Sequence, residues 1–166
     1  MTLEIRSKFK QLIYDLYFVA RALPRNVRLK PEETLAVQVN AYLSQALLNS
    51  DLDCLYFHVP NEGYRSKYTG QKMRCMGLVS GVYDYVFIAG KFAGVIELKT
   101  PTRMAYSKLG KLMKRKQTNL NPNQILFGDL CDHFGVKKRT CRSLSEVISA
   151  LSEWGVLNEN RSRIDS

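Results

Sequence analysis

Apolar residues recur at helical spacing near the start of the chain. Between positions 5 and 23 they return every three or four residues, and Pro24 ends this pattern. A second apolar stripe of the same period predicts a helix over 31–48, where Pro31 suits the first helical turn. The basic segment PRNVRLK joins the two. We therefore expect the chain to open with two amphipathic helices.

Two more helices are predicted in the last third of the chain from the residues at their ends. Asn121 and Pro122 are typical of an N-cap and a first helical position, and Ser143 with Glu146 matches a capping box. The last helix is predicted to run to Trp154, and a glycine follows each of the two helices as a stop signal.

The middle of the chain has the shorter apolar runs that are typical of strands. A strand is predicted over 54–59, a hairpin over 81–99 and a short strand over 137–141. The stretch 64–80 is basic and loop-like, with room for a short helix, and 103–117 is a basic insertion. This order of helices and strands indicates an α/β fold, with a mixed β-sheet flanked by helices.

The predicted hairpin places two acids opposite each other. Gly90-Lys91 suits a two-residue type II′ turn, which favours glycine first. With that turn Asp84 faces Glu97, and residues in this relation have Cβ atoms about 4.5–5.5 Å apart. Lys99 follows two residues after Glu97, so it shares that face. A divalent cation such as Mg²⁺ or Mn²⁺ relieves the repulsion between two carboxylates. The alternative is a solvated Asp-Lys-Glu cluster on the sheet surface.

The charge of the chain adds a second observation. The 166 residues carry a net charge of +10, and between positions 63 and 128 there are twelve Lys or Arg residues against two acids, Asp84 and Glu97. Such a field attracts a polyanion, and nucleic acid is the partner that it predicts. The alternative is a cationic surface that keeps the protein soluble and has no partner.

Cysteine usage and hydropathy limit the remaining classes. The four cysteines are scattered without a CxxC pair, which argues against a disulfide framework or a zinc site. No apolar run approaches the roughly 18–20 residues that span a bilayer, and the start of the chain lacks a signal-peptide core. We expect one domain with reduced thiols in a cytoplasm, and no membrane partner.

Five segments in consistent order resemble a nuclease family. They are HVPNEGYR at 58–65, MGLVSGVYDY at 76–85, IELKTP at 96–101, LNPNQ at 120–124 and CRSLSEVI at 141–148. Together they resemble the VRR-NUC domain of the PD-(D/E)xK nuclease superfamily. The resemblance implies a restriction-endonuclease-like fold over 31–157, preceded by an N-terminal helix and basic linker (1–30) and followed by a polar tail (158–166). Stand-alone members are typically phage-encoded, which would place the protein in a host cytoplasm.

The chain departs from the family pattern at two positions. Tyr83 stands where the family usually has proline before its aspartate. Because that proline supplies no ligand, its replacement leaves the chemistry intact. The family's helical glutamate maps to Glu32, with Ala36 in place of the usual glutamine four residues later. Glu33, one position away, is the alternative assignment of that glutamate. A first-turn acid that stabilises the helix dipole is the alternative reading of Glu32.

The resemblance implies roles for individual residues. Asp84, Glu97 and the Leu98 carbonyl would hold Mg²⁺ or Mn²⁺, Glu32 would complete the site or bind a second ion, and Lys99 would orient the attacking water. One-metal and two-metal schemes both remain open. Gln124 would contact the nucleophile, Lys99 or a phosphate, and capping of its own helix is the alternative.

Nucleic-acid contacts are predicted for two groups of residues. His58 and Asn61 lie on the strand and turn that enter the site in this family, and structural or turn roles are their alternatives. The basic residues predicted to track phosphates are Arg65, Lys67, Lys72, Arg74, Arg103, Lys108, Lys111, Lys114, Arg115 and Lys116.

These observations predict a metal-dependent, structure-selective DNA endonuclease, a Holliday-junction resolvase or a flap nuclease. Nicking both strands of a junction requires a symmetric dimer, and the N-terminal helix is the candidate for its contacts. One alternative is a nucleic-acid-binding module that keeps the fold without cutting. Another is a protein that binds acidic protein partners through its basic surface.

Overall fold

The predicted helix over 31–48 is present with those bounds in the computed structural model, which describes residues 3–18, 27–60, 67–100, 104–106, 112–114 and 119–158. The chain divides into two units, one of residues 1–54 with 143–166 and one of residues 55–142. Within the described residues there are five helices and six strands.

The first unit is helical. It contains α1 (Leu3–Tyr17), α2 (Pro31–Leu48) and α5 (Leu144–Glu153), and α2 packs against both of the others. The apolar stripe predicted for α2 is buried, together with apolar residues of α5. The buried stripe consists of Leu35, Val39, Leu43 and Leu47, and the α5 residues are Val147, Ala150 and Leu151. The predicted end of the first helix at Pro24 lies outside the described residues.

Helix ends in this unit follow the predicted signals. Pro31 is at the first position of α2, and the Ser143 hydroxyl accepts a hydrogen bond from the Glu146 amide at 3.2 Å. Trp154 is the C-cap of α5, and Gly155 follows in the left-handed conformation with φ of +74°. These contacts satisfy backbone groups that a helix end otherwise leaves without partners.

The second unit is a four-stranded mixed sheet with helices. Its strands are β1 (Leu55–His58), β2 (Tyr85–Ala89), β3 (Phe92–Leu98) and β6 (Lys137–Cys141), in the order β1-β2-β3-β6. The first two pairs are antiparallel and β3 pairs with β6 in parallel. α4 (Pro122–His133) packs on β6. The predicted α/β class with a mixed sheet is therefore confirmed.

Two segments that the sequence describes as basic loops contain regular structure. α3 (Lys67–Cys75) occupies part of the stretch over 64–80, where room for a short helix was expected. The basic insertion contains a two-stranded antiparallel ribbon, β4 (Met104–Tyr106) and β5 (Leu112–Lys114), which the sequence pattern does not predict. Their apolar positions are too few and too irregular to give a strand period.

The hairpin has the predicted register. Ala89 pairs with Phe92 and Tyr85 with Ile96. Gly90 has φ of +50°, and Lys91 is not among the residues with positive φ, as a type II′ turn requires. One face of the sheet carries fully buried aromatic and aliphatic side chains, and the opposite face carries a smaller cluster built on Tyr83, Val95 and Cys131.

Among the described helices, none combines the length and the apolar character that crossing a bilayer would require.

Candidate functional site

The hairpin brings the carboxylates of Asp84 and Glu97 together. Asp84 lies one residue before β2, and Glu97 lies near the end of β3 with 1% of its surface exposed. Each offers a carboxylate oxygen within 4.8 Å of the other. This follows from the register. Because Tyr85 pairs with Ile96, the residues just beyond them, Asp84 and Glu97, also lie opposite each other.

Asp84 is held in place by backbone contacts on both of its sides. Its Oδ2 accepts a hydrogen bond from the Leu98 amide at 2.8 Å, and its carbonyl accepts one from the Val59 amide at 2.8 Å. The Asp84 carboxylate therefore accepts, at the end of β3, a backbone hydrogen bond of the kind that a neighbouring strand's carbonyl normally accepts. This contact fixes the aspartate relative to both neighbouring strands.

Lys99 lies beside Glu97, as the alternation of the strand predicts. Its Nζ is 2.6 Å from Glu97 Oε1, and 8% of the lysine is exposed. The Lys99 amide also donates to the Cys141 carbonyl at 2.9 Å, which anchors the lysine to β6. Removing one partner of a buried ion pair typically costs about 3–5 kcal/mol, because the other charge remains buried without compensation.

Gln124 caps its own helix, as one of the two predicted roles requires, and it also contacts Glu97, which the sequence did not predict. Its Oε1 accepts a hydrogen bond from the Asn121 amide at 2.9 Å, while Asn121 Oδ1 accepts one from the Gln124 amide at 3.0 Å. Its Nε2 donates to Glu97 Oε1. The capping box thus orients the amide, and α4 delivers a donor to the carboxylate that Lys99 also contacts.

The start of α4 approaches the hairpin at a glycine. Gly81 has φ of +87°, and a Cβ there would lie 2.4 Å from the Asn123 carbonyl carbon and 2.7 Å from the Gln124 nitrogen. Next to it, Asn123 Nδ2 donates to Ser80 Oγ at 2.9 Å. Sequence reasoning did not single out Gly81, Ser80 or Asn123, since nothing local signals a contact across 42 residues.

The Tyr83 hydroxyl lies under α4, against Gly128. Burial raises the pKa of Tyr83, the Lys138 ammonium opposes this shift, and the negative charge of Glu97 adds to it. A Cβ at Gly128 would lie 2.8 Å from the Tyr83 hydroxyl oxygen, so glycine is what allows the ring to reach this position. The tyrosine therefore stays neutral and fills the space below the helix.

Glu32 and Glu33 have different surroundings in the first unit. Both lie in the first turn of α2 and are half-buried. Glu33 Oε2 accepts a hydrogen bond from the Lys30 amide at 2.6 Å, and its Oε1 lies 3.6 Å from Lys30 Nζ. Glu33 is thus used in capping its own helix, which leaves Glu32 as the better candidate for a ligand.

The predicted nucleic-acid contacts are distributed over several elements. The ring of His58 packs edge-on against Tyr85, with centroids 5.1 Å apart. Lys72 and Arg74 are exposed on α3, Lys67 begins that helix, and Lys114 ends β5. The other predicted contacts lie outside the described residues: Asn61, Arg65, Arg103, Lys108, Lys111, Arg115 and Lys116.

The donor atoms at the hairpin fit a hard divalent cation. Carboxylate oxygens are the ligands that Mg²⁺ and Mn²⁺ prefer. Two ligands of one octahedral ion at about 2.1 Å lie at most about 4.2 Å apart, so an upper bound of 4.8 Å between the two acids requires only a small approach. The ion pair between Glu97 and Lys99 is also what a purely structural cluster would contain.

Comparisons with known proteins find no relative of the chain. No family model, no curated protein sequence and no solved structure matches the chain.

Proposed function

We propose that the protein is a metal-dependent endonuclease that hydrolyses phosphodiester bonds in branched DNA. The observation that carries the proposal is the pairing of Asp84 with Glu97 beside the Lys99 ammonium, in a chain of net charge +10. Two acids and a lysine at one hairpin end are the groups that phosphodiester hydrolysis uses, and the surrounding charge attracts the substrate.

Asp84 and Glu97 would hold Mg²⁺ or Mn²⁺, with the Leu98 carbonyl and Glu32 as further oxygen ligands. The ion would supply Lewis-acid polarisation of the phosphate and a lower pKa for a coordinated water. Support for Glu32 comes from its first-turn position and from the use of its neighbour Glu33 in helix capping.

Lys99 and Gln124 would prepare the site for the reaction. Both contact Glu97 Oε1, so they fix the orientation of that carboxylate. The Lys99 ammonium would orient the attacking water and stabilise the charge that develops on the phosphate oxygens. Because Gln124 is anchored by its own capping box, its donor requires little reorganisation during the reaction.

The DNA would be bound by basic residues around this site. Between positions 63 and 128 the excess of twelve bases over two acids gives a local net charge of +10, equal to that of the whole chain. Lys72 and Arg74 on α3 are exposed members of this group. Each contact to a phosphate would add roughly 0.9 to the slope of log affinity against log salt concentration.

We propose further that the protein acts as a homodimer through α1. Phe9, Leu12 and Leu16 are 42%, 51% and 74% exposed and recur at helical spacing, while Ile13, at the edge of the same stripe, is buried. Sedimentation velocity over a range of concentrations tests this. A mass that stays monomeric at the highest concentration would exclude the dimer.

The family and cellular setting implied by the resemblance belong to the same proposal. The five matching segments, the acid-bearing hairpin and the following Gln-bearing helix support a VRR-NUC-like nuclease with a restriction-endonuclease-like fold. A phage-encoded repair or recombination enzyme that acts in a host cytoplasm is consistent with these features.

One observation favours a second candidate. Lys99 and Gln124 already satisfy Glu97 Oε1, so the cluster can be a structural element of a nucleic-acid-binding module that does not cut. The two candidates differ in their need for metal: binding without cleavage in any divalent cation supports the module.

The decisive assay compares the wild type with Asp84→Asn. Asparagine keeps an acceptor for the Leu98 amide, whereas alanine would leave that buried donor without a partner. Labelled duplex, flap and four-way-junction DNA are incubated with Mg²⁺, with Mn²⁺ or with EDTA. We expect cleavage of branched DNA by the wild type with metal only, and binding without cleavage by the variant.

A charge-matched control is Asp53→Asn, which removes an exposed carboxylate from another part of the chain. It is expected to cut like the wild type. Equal cutting by Asp84→Asn and the wild type would remove Asp84 from the mechanism.

A further inference from the structure

Helix α3 is exposed over most of its surface. From Tyr68 to Cys75 only Gly70 and Met73 are half-buried, and the other residues are exposed. No other described helix or strand packs on α3 as closely as α4 packs on β6. Isolated helices of nine residues are marginal in water, and the glycine inside α3 weakens it further. A partner that packs on the exposed side would therefore stabilise this helix.

Helical geometry determines which side chains such a partner would meet. At 3.6 residues per turn, four exposed residues fall within about 60° of the direction of Tyr68. The half-buried Gly70 and Met73 lie on the opposite side of the helix. The exposed face of α3 thus consists of Tyr68, Gln71, Lys72 and Cys75.

The chemistry of the exposed face of α3 fits a nucleic acid. α3 contains three basic residues and no acid, and the ring of Tyr68 is 78% exposed. Bases stack on aromatic rings and phosphates bind lysine, so a DNA strand can use Tyr68 and Lys72 together. An acidic protein would satisfy the lysine and leave the ring in water. In a duplex the base faces are covered by their neighbours, so only an unpaired base offers a face to Tyr68.

A short stretch of chain connects α3 to the candidate site. Ser80 Oγ accepts a hydrogen bond from Asn123 Nδ2 at 2.9 Å, and Asn123 directly precedes Gln124. At 1.5 Å per helical residue and at most about 3.6 Å per extended residue, Tyr68 lies within roughly 29 Å of Ser80. A strand with the 3.4 Å spacing of B-DNA covers this distance in about nine nucleotides or fewer. One DNA strand can therefore reach both α3 and the acids.

We propose that the exposed face of α3 binds the unpaired DNA strand beside the scissile bond, with a base stacked on Tyr68 and the adjoining phosphate on Lys72. The inference rests on the proposed function, because it leads this strand to the metal site. It makes Tyr68 a specificity-determining residue: its ring favours branched DNA, which offers an unstacked base, over linear duplex, which offers none.

Binding is measured on the whole chain in EDTA, where cleavage is off. Fluorescence anisotropy compares a short single-stranded thymidine oligonucleotide with a linear duplex of the same length. We expect Tyr68→Ala to weaken binding of the single strand about fivefold or more, because one base then loses its stacking partner. Binding of the duplex should change little. Equal weakening for both probes, or none for either, overturns the proposal.

Two matched variants separate stacking from a general effect of losing a ring. Tyr68→Phe retains the ring and is expected to bind the single strand like the wild type. Phe134→Ala removes a ring that is 71% exposed at the C-cap of α4, and it should leave single-strand binding nearly unchanged. If Phe134→Ala weakens binding as much as Tyr68→Ala, or if Tyr68→Phe fails to restore it, the assignment of Tyr68 is wrong.

The salt dependence of binding tests the phosphate contact. Each phosphate contact on a single strand contributes about 0.7 to the slope of log affinity against log salt concentration. Lys72→Ala should reduce this slope by about 0.7. Lys91→Ala, which removes an exposed lysine from the turn between β2 and β3, should leave it unchanged. Equal slopes for Lys72→Ala and the wild type overturn the contact.

Cys75 allows the exposed face of α3 to be probed in the unaltered chain. Its thiol is exposed, whereas the other three cysteines are buried. We expect the thymidine oligonucleotide to slow alkylation of Cys75 by iodoacetamide, a neutral reagent, far more than polyglutamate does at equal charge. No slowing at saturating oligonucleotide, or equal slowing by polyglutamate, overturns the proposal.

Failure of the α3 assignment and failure of the proposed function have different results. If Tyr68→Ala binds the single strand and cuts flap DNA in Mg²⁺ like the wild type, the α3 assignment is wrong and the nuclease stands. If the wild type cuts no DNA while Tyr68→Ala selectively loses single-strand binding, the nuclease is wrong. The exposed face of α3 is then the strand-binding surface of a module that does not cut.

Discussion

A methyl group at Gly81 tests how closely the hairpin and α4 approach. In Gly81→Ala the new Cβ would lie 2.4 Å from the Asn123 carbonyl carbon, at a φ of +87°. Gly77→Ala is the matched control, because Gly77 has φ of +95° but no atom within 4 Å of its built Cβ. Both variants introduce the same side chain into left-handed backbone, and only one introduces a clash.

The structure sets how much more stability Gly81→Ala loses than Gly77→Ala. The left-handed conformation costs each variant about 1–2 kcal/mol of the free energy of unfolding. Overpacking against backbone adds about 1–3 kcal/mol at Gly81 only. To restore ordinary contact at 3.4 Å, the first turn of α4 must retreat by about 1 Å. A retreat of this size separates Gln124 Nε2 from Glu97, so the site is disturbed as well as the fold.

Urea unfolding followed by circular dichroism measures both variants against the wild type. We expect Gly81→Ala to lose about 1–3 kcal/mol more than Gly77→Ala, with a correspondingly lower urea midpoint. If the two variants lose the same free energy, the close approach of α4 to Gly81 is not a feature of the protein in solution. Backbone NMR shifts at Gln124 provide an independent check on the retreat.

Three further predictions concern charge and thiol chemistry. Gln124→Glu places a second carboxylate against Glu97, so we expect the free energy of unfolding to fall by about 3 kcal/mol at pH 7. This loss should shrink toward pH 4, where carboxylates take up protons. If urea unfolding shows a loss that does not shrink, the contact is contradicted. Burial raises the pKa of Cys54 from 9.0 to about 12, and Asp53 adds to this. Because the unfolded thiol ionises first, stability should be unaffected below about pH 9 and fall as the pH rises, by up to about 1.4 kcal/mol per unit. Cys54→Ala should reduce that slope in urea midpoints, and an unchanged slope would contradict it. Of the four cysteines only Cys75 is exposed, so a thiol reagent should modify one cysteine rapidly in the native protein and all four in urea; two or more fast thiols would contradict the burial.

The hairpin and the helix ends could be predicted because local chemistry determines them. A glycine-first turn fixes the register by counting, and the register alone places Asp84 opposite Glu97. Pro31, Asn121 and Ser143 mark helix starts through groups within three residues of each other. No distant contact is needed for either inference.

The double role of Gln124 could not be chosen from the sequence. Its capping bond is local, but the bond to Glu97 spans 27 residues and depends on where α4 lies over the sheet. That position depends in turn on Gly81 and Gly128, whose missing side chains allow the helix to approach. Tertiary packing of this kind leaves no periodic signal.

The basic segments were difficult for a related reason. α3 has a glycine at its fourth position, and the ribbon strands have three residues each, so neither shows the period of its element. The choice between Glu32 and Glu33 likewise depended on which side chain turns back to the Lys30 amide. Two adjacent identical residues give the sequence no basis for that distinction.

The central claim is that Asp84 and Glu97 bind one divalent ion between them. Calorimetric titration of Mn²⁺ into the wild type, Asp84→Asn and the charge-matched Asp53→Asn measures this without DNA. We predict saturable binding by the wild type and by Asp53→Asn, and binding about tenfold or more weaker in Asp84→Asn. Equal Mn²⁺ affinity in all three proteins would show that the paired acids are not a metal site.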